Sequence, residues 1–326
     1  MLTLAALAVM ATLSIEGDAH ASIRPIQVAP QVAQTGEPVQ LEDVVVSGRS
    51  LDRMILDFVG EVAEPNNNRG LARWRESVCV GVINLRGEVA GYIADRVSTV
   101  AGDLGLEVGE AGCRPNLLVV ATADGSTLAG NLVEDRVRAF RMGGTGMDRG
   151  GAALRDFVAT DRPVRWWQMS APVDSETGLL AVRLPGECRD PCASPLDYAP
   201  VVNIFAASRL RTQIVDNLIR AVVIVDVDEV SDLSVLQLAD YIAMVSLAQI
   251  DPDADTSGYA SILNVFDDPQ GSQSLTDWDL AYLGGLYGAE HNQINRRAGR
   301  SQIVDAIRRE HRLLREREPT VVPDTD

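Results

Sequence analysis

The chain has 326 residues, of which 46% are hydrophobic, so it can bury a sizeable core without help from a metal or a disulfide. Its formal net charge is −17 at pH 7, and this acidity excludes nucleic acid as a partner, since nucleic acid is bound by clustered positive charge. No lysine occurs, and no histidine lies between His20 and His291. Schiff-base chemistry is therefore excluded, and the main body of the chain has no imidazole for catalysis or for a metal.

An apolar run opens the chain. Residues 1–13 carry no charged side chain, and the small-x-small sequence Ala19-His20-Ala21 follows. This pattern is typical of a secretory signal peptide, so residues 1–21 are predicted to be removed on export to the periplasm or the medium of a bacterium. The run is shorter than the ~20 apolar residues that span a bilayer, and no second such run occurs. We therefore expect no transmembrane segment after cleavage.

The remaining chain is predicted to have three parts. Residues 22–52 are rich in proline and glutamine at their start and favour an extended linker. Residues 53–290 are expected to form a single domain. Residues 291–326 are predicted to form an amphipathic helix followed by a disordered tail, and this helix packs either on the domain or on a second copy of the chain.

Four cysteines, an even number, fit an oxidising compartment. The preferred pairing is Cys79 with Cys113, which would join two neighbouring strands, and Cys188 with Cys192, which would close a small loop. Four cysteines allow two other pairings, and a zinc site made of all four is a further alternative. The paired CxxC spacing of zinc ribbons is missing, which favours disulfides.

The first half of the domain alternates between strand and helix patterns. Residues 77–85 and 116–123 are continuous apolar runs typical of buried strands, whereas residues 87–106 and 127–140 place apolar side chains at helical spacing. This βαβα order predicts parallel strands. Residues 142–151 form a glycine-rich loop, which does not match a phosphate-binding loop because that motif requires a lysine.

The second half is richer in predicted strands and ends in helices. Strands are predicted over residues 163–172, 179–184, 201–206 and 218–227. Residues 233–250 predict a long helix that is apolar on nearly every side and therefore central and buried. Thr276 and Asp279 have the spacing of a capping box at the start of another helix. Residues 301–317 predict the last helix, with one apolar stripe that includes His311.

The order of elements from Val225 to Tyr287 carries a resemblance. The buried helix is followed by S-I-L-N-V-F-D at residues 261–267 and by L-T-D-W-D at residues 275–279. This arrangement resembles a family of uncharacterised secreted bacterial proteins related to the zincin metallopeptidases. The resemblance implies an α+β, zincin-like fold: a mixed twisted sheet with a βαβα N-terminal half, a central buried helix and a helical C-terminal part.

The metal motif of that family is missing here. In the family, the central helix carries an HExxH-like sequence, which holds zinc with two histidines one turn apart. At that place this chain has Ala239, Asp240 and Ala243, and no histidine lies on the helix. We therefore expect no zinc and a pseudoenzyme. Asp240 remains the one candidate for a catalytic acid or base.

A loop after the buried helix prompts a test for calcium. Asp251, Asp253 and Asp255 match positions 1, 3 and 5 of an EF-hand, but Thr256 and Ile262 occupy positions that require glycine and glutamate. An EF-hand is therefore excluded. A looser calcium site and a simple acidic helix stop remain as alternatives, and no other cofactor is expected.

Three functional hypotheses follow. The first is a non-catalytic protein that binds a peptide or protein partner in the cell envelope, with residues 218–227 as an exposed edge strand that a peptide extends. The second is a hydrolase that uses carboxylates, with Asp240 as its buried acid or base, with or without a metal held by ligands other than histidine. The third is a structural protein that forms homo-oligomers through its C-terminal helix, residues 300–326.

Overall fold

A computed structural model describes residues 50–66, 69–141, 146–183, 194–199, 201–202 and 208–317. They belong to one compact unit that begins at Arg49. The predicted signal peptide, most of the predicted linker and the Cys188–Cys192 loop lie outside the described residues. Of the helices in the part that the structure describes, none is long and apolar enough to cross a bilayer.

Helices and strands alternate through this unit. The helices among the described residues are α1 (Leu51–Val62), α2 (Gly87–Asp103), α3 (Gly125–Asp135), α4 (Val137–Phe140), α5 (Gly150–Ala159), α6 (Val235–Leu247), α7 (Asp277–Gly288) and α8 (Arg296–Arg317). The strands are β1 (Val80–Ile83), β2 (Leu117–Thr122), β3 (Val164–Asp174) and β4 (Ile214–Asp226).

The four strands form one mixed sheet in the order β1-β2-β4-β3. Val80 of β1 pairs with Leu117 of β2, and Leu117 pairs in turn with Ala221 of β4, both in parallel. Strand β3 runs antiparallel to β4. The predicted parallel βαβ order and the mixed sheet are confirmed. The more specific zincin-like arrangement stays a prediction.

The prediction that residues 218–227 form an exposed edge is wrong. They belong to β4, which pairs with β2 on one side and with β3 on the other. A near-continuous apolar run indicates that both faces of a strand are covered. It does not show whether the two hydrogen-bonding edges are paired, which is why the position of this strand was mispredicted. Of the other predicted strands, residues 179–184 make only an isolated bridge at Leu180, and residues 203–207 lie outside the described residues.

Helices cover both faces of the sheet, and β4 contributes to both. Val223 and Val225 of β4 lie in a large apolar cluster with α1, α2, α6, α7 and α8. Val222 and Ile224 lie in a smaller cluster with α3, α4 and α5. The alternation follows from the two-residue period of a strand. Two faces covered by helices explain why residues 221–225 of the central strand are all apolar.

Helix α6 is the predicted buried helix, and its prediction is confirmed. Every residue from Gln237 to Leu247 is buried. Buried polar side chains satisfy carbonyl groups at its C-terminal end, as a buried helix end requires. The Gln168 amide donates to the carbonyl oxygens of Val245 and Ala248 at 2.9 and 2.8 Å, and the Trp74 indole donates to that of Ser246 at 2.9 Å.

Helix α8 packs on the domain. Val304 and Ile307 are buried in the same cluster as α6 and α7. His311 is also buried, edge-on to Trp278 with ring centroids 5.8 Å apart, as expected for a packed histidine. The apolar stripe predicted from the sequence is therefore buried against the domain. Self-association through α8 stays a prediction, and it would require a different face of the helix.

Two helices begin inside segments predicted to be irregular, and one predicted disulfide is present. Helix α1 begins at Leu51, inside the predicted linker, and α5 begins at Gly150, inside the predicted glycine-rich loop. The Cys79–Cys113 disulfide is confirmed, with a Cα–Cα distance of 6.1 Å. It joins the residue before β1 to the segment before β2, and it rules out a zinc site made of all four cysteines.

Candidate functional site: the His291 cleft

The three residues at the position of the metal motif are fully buried. Ala239, Asp240 and Ala243 all lie on α6 with 0% of their surface exposed. Both oxygens of Asp240 are occupied: Oδ1 accepts from Arg96 Nε at 2.5 Å, and Oδ2 accepts from Arg96 Nη2 at 3.1 Å and from the Leu275 backbone N–H at 2.8 Å. The carboxylate joins α2, α6 and the loop before α7, and no substrate reaches it.

The three aspartates considered as calcium ligands form hydrogen bonds or an ion pair within the protein. Asp251 accepts from the backbone N–H of Asp253, and Asp255 accepts from the backbone N–H of Ser257. Asp253 is paired with Arg162 at 2.5 Å. Within the described residues, no three acidic, histidine or cysteine side chains form a group suited to a metal ion. The arrangement matches the alternative of an acidic helix stop.

A cleft made of two adjoining cavities lies elsewhere, at the amino-terminal end of β4. The first cavity has a volume of about 450 Å³ and the second about 610 Å³. Val215, Glu290 and His291 line both, so the cavities meet at these side chains. Cavities of this size accommodate small ligands or a few residues of a peptide.

The first cavity has a cationic wall, although the chain as a whole is strongly acidic. Arg73, Arg75 and Arg211 line it. Arg211 is paired with Glu290, at 3.3 Å. Among the described residues, no carboxylate lies within salt-bridge distance of Arg73 or Arg75. The guanidinium groups of Arg73 and Arg75 therefore line a concave site with no described carboxylate in direct contact, although the charge of Asp174 acts on Arg75 from a greater distance.

Backbone carbonyl groups hold these two guanidinium groups in place. Arg73 Nη1 donates to the carbonyl oxygens of Leu286, Tyr287 and Ala289 at 2.7 to 2.9 Å, at the C-terminal end of α7. Arg75 donates to the carbonyl oxygens of Ser175 and Glu176. Carbonyl dipoles fix a cation but leave its net charge uncompensated. Burial lowers the pKa of Arg73, the direction expected for a cation removed from water.

His291 is held as a neutral ring between these groups. Its Nε2 lies 2.7 Å from the carbonyl oxygen of Leu71. Because a carbonyl oxygen only accepts, Nε2 is the donor, and Nδ1 of the neutral ring is then an acceptor. Burial, with help from the charges of Arg73 and Arg75, lowers the pKa of His291 to about 4. The ring is therefore uncharged at neutral pH.

The hydroxyl groups of the cleft are not paired with this histidine as nucleophile and base. The Tyr287 hydroxyl donates to the carbonyl oxygen of Leu247 at 2.7 Å, and burial raises its pKa. The one nitrogen of His291 with a resolved partner is committed to Leu71. The Tyr287 hydroxyl and His291 are therefore not arranged as a nucleophile and its base.

The sequence did not indicate this site. Its residues come from five separate segments, at residues 65–75, 104–106, 175, 211–217 and 287–303. Two local signals were present. One was Arg73-Trp74-Arg75, in which two arginines flank a tryptophan in an acidic chain, and the other was His291, a histidine of the folded part. Neither signal specifies which segments meet.

Comparison of the chain with protein-family models, with curated proteins and with solved structures finds no match in any of the three. The description of the site therefore depends on its geometry alone.

The titration of His291 predicts a pH dependence of stability. Its pKa of about 4 in the folded protein is lower than the ordinary 6.5, so the unfolded chain takes up the proton first as the pH falls. The free energy of unfolding should therefore decrease between pH 6.5 and pH 4, by about 3 kcal/mol in total. Urea denaturation at a series of pH values measures this decrease.

His291→Gln is the control for that measurement. Glutamine retains an N–H donor for the Leu71 carbonyl and does not titrate. The decrease should be shallower in this variant, and the difference between the two proteins should grow as the pH falls from 6.5 and level off below pH 4. His311 and Asp279 are present in both proteins, so their contributions cancel. Parallel curves for the two proteins would contradict the assignment.

Proposed function

We propose that this chain is a non-catalytic binding protein, exported to the bacterial envelope, that holds an anionic ligand in the His291 cleft. The observation that carries the proposal is the pair Arg73 and Arg75, whose charges face the first cavity without a carboxylate partner among the described residues. An anion in this cavity would supply the missing negative charge.

The partial burial of Arg73 favours such an anion. A buried cation without a counter-ion is costly, and an opposite charge within a few ångströms offsets that cost more effectively there than in water. His291 supports the same ligand, because its neutral ring offers one more polar contact without adding a negative charge. The overall charge is −17, so this cationic wall has the opposite sign to the chain as a whole, as does the arginine-rich helix α8.

The enclosed position of Asp240 favours binding over catalysis by this carboxylate. The hydrolase hypothesis requires Asp240 as an accessible acid or base, but its oxygens are enclosed and occupied by Arg96 and Leu275. The zincin-like ancestry and the export to the envelope are supported by the resemblance and by the apolar N-terminal run. The binding of a peptide or protein partner is retained, with the cleft as its location in place of strand β4.

Titration calorimetry with inorganic phosphate and with acetate tests the proposal. Binding should be measurable, and Arg75→Gln should weaken it by about tenfold or more, since hydrogen bonds to charged groups contribute about 1.5–3 kcal/mol. Arg75 is the residue to change because it is exposed, whereas Arg73 also stabilises α7.

The matched control is Arg53→Gln, which removes the same charge from the exposed side of α1. It should leave the affinity unchanged. If neither anion binds, the proposal is wrong. It is also wrong if Arg53→Gln weakens binding as much as Arg75→Gln, because the effect then comes from the net charge and not from the cleft.

A further inference from the structure

We infer that the ligand of the cleft is the carboxylate end of a peptide whose last residue has an apolar side chain. This inference rests on the proposed function and adds the class of ligand. Its basis is that the two cavities differ in chemistry and meet at Val215, Glu290 and His291.

The second cavity offers an apolar surface beside the cationic one. Pro65, Leu71, Ile214, Ile294 and Ile303 line it. Of its charged residues, Arg69 is paired with Asp216 at 3.4 Å and Glu290 with Arg211, so those charges are already matched. Arg300 also lines this cavity and is exposed to water. An apolar group buried there is stabilised in proportion to the area it removes from water. A ligand whose anion lies near Arg73 and Arg75 therefore has room for an apolar side chain in the adjoining space.

Hydrogen-bond acceptors on the cleft wall favour a peptide over a fatty acid. Asn217 lines the first cavity, is 5% exposed, and its Oδ1 has no hydrogen-bond partner among the described residues. Glu290, which lines both cavities, already accepts from Arg211 and Gln293, so Asn217 is the acceptor that needs a donor. An acceptor that lacks a donor is costly, and a peptide supplies N–H groups that a fatty acid lacks. The carboxylate, the side chain and the amide of a C-terminal residue match the three features of the cleft.

Calorimetry of the whole chain with four probes tests this inference. The probes are N-acetyl-glycyl-leucine, its C-terminal amide, N-acetyl-glycyl-glycine and octanoate. The leucine peptide should bind best. The amide should lose about tenfold or more in affinity because it lacks the charge, and the glycine peptide should lose about tenfold because it leaves the apolar cavity unfilled. Octanoate should also bind more weakly than the leucine peptide, because it has no N–H donor.

A substitution in the second cavity tests the contact with the leucine side chain of the peptide separately from any general loss of affinity. Ile294 is 52% exposed, so Ile294→Ser should not disturb the fold. It should weaken binding of the leucine peptide severalfold and leave binding of the glycine peptide unchanged. Leu313→Ser is the control, because Leu313 is 42% exposed on α8 and does not line either cavity.

Each result distinguishes the inference from the proposed function. If inorganic phosphate binds through Arg75 but the leucine and glycine peptides bind equally, the peptide inference is wrong and the anion site remains. If octanoate binds as tightly as the leucine peptide, a lipid-like carboxylate replaces the peptide as the ligand. If neither phosphate nor any probe binds, both proposals are wrong.

Discussion

Replacing Arg96 by methionine should lower the free energy of unfolding by about 3–5 kcal/mol. The substitution leaves the Asp240 carboxylate, 0% exposed, with the Leu275 N–H as its remaining resolved donor. An unpaired buried charge is among the most destabilising defects in a folded protein. Urea denaturation at pH 7 measures the loss.

Removing the other partner should cost less. Asp240→Asn retains an oxygen for the Leu275 N–H, and the Arg96 side chain, 31% exposed, reaches water when its partner is neutral. We expect a loss of about 1–2 kcal/mol. Arg312→Met, which removes an exposed arginine of α8, should change stability by less than about 0.5 kcal/mol and is the control.

The order of these effects tests the role of Asp240. A structural carboxylate gives a larger loss when its arginine is removed than when it is itself neutralised. Equal losses, or a larger loss for Asp240→Asn, would show that the pair is not what stabilises the carboxylate. The hydrolase hypothesis would then deserve a new assay with Asp240→Asn.

Replacing Gly285 by alanine should lower the free energy of unfolding by about 3 kcal/mol. A Cβ atom there would lie 2.3 Å from Ile307 Cγ1 and 2.6 Å from the Ile307 backbone nitrogen. A backbone atom does not rotate away as a side chain does, so α8 has to move from α7. Thermal and urea denaturation measure the loss.

Gly288→Ala is the matched control on the same helix. A Cβ atom at Gly288 meets no other residue within 4 Å. Its stability should be unchanged or slightly higher, because alanine restricts the unfolded chain more than glycine does. If Gly285→Ala were as stable as Gly288→Ala, the close approach of α7 and α8 would be wrong.

Much of the fold followed from local patterns. The apolar run at residues 218–227 identified a buried strand, and the all-round apolar run at residues 233–250 identified the central helix. Thr276 and Asp279 were predicted as a capping box, and the Thr276 hydroxyl accepts from the Asp279 N–H at 3.2 Å while Asp279 accepts from the Thr276 N–H at 2.9 Å. These features depend on residues a few positions apart, which a sequence shows directly.

The candidate site did not follow, because its parts are distant in the chain. His291 meets Leu71 across 220 positions, and Arg73 caps a helix that ends at Gly288. The sequence drew attention to Asp240 because a carboxylate on a buried helix requires a partner for its charge. The structure shows that this partner is Arg96, 144 positions away.

The sequence by itself determined the central helix, the strands and helices of the βαβα half and the central strand, but not helices α1 and α5. It also determined that the body of the chain has no histidine for a zinc helix and that Cys79 and Cys113 lie beside neighbouring strands. The tertiary structure decided the strand order, in which β4 lies inside the sheet, and the meeting of Arg73, Arg75 and His291 in one cleft. The physical reason is the range of the interactions. Periodicity and capping act within a few residues, whereas strand order and clefts arise from how the whole core packs.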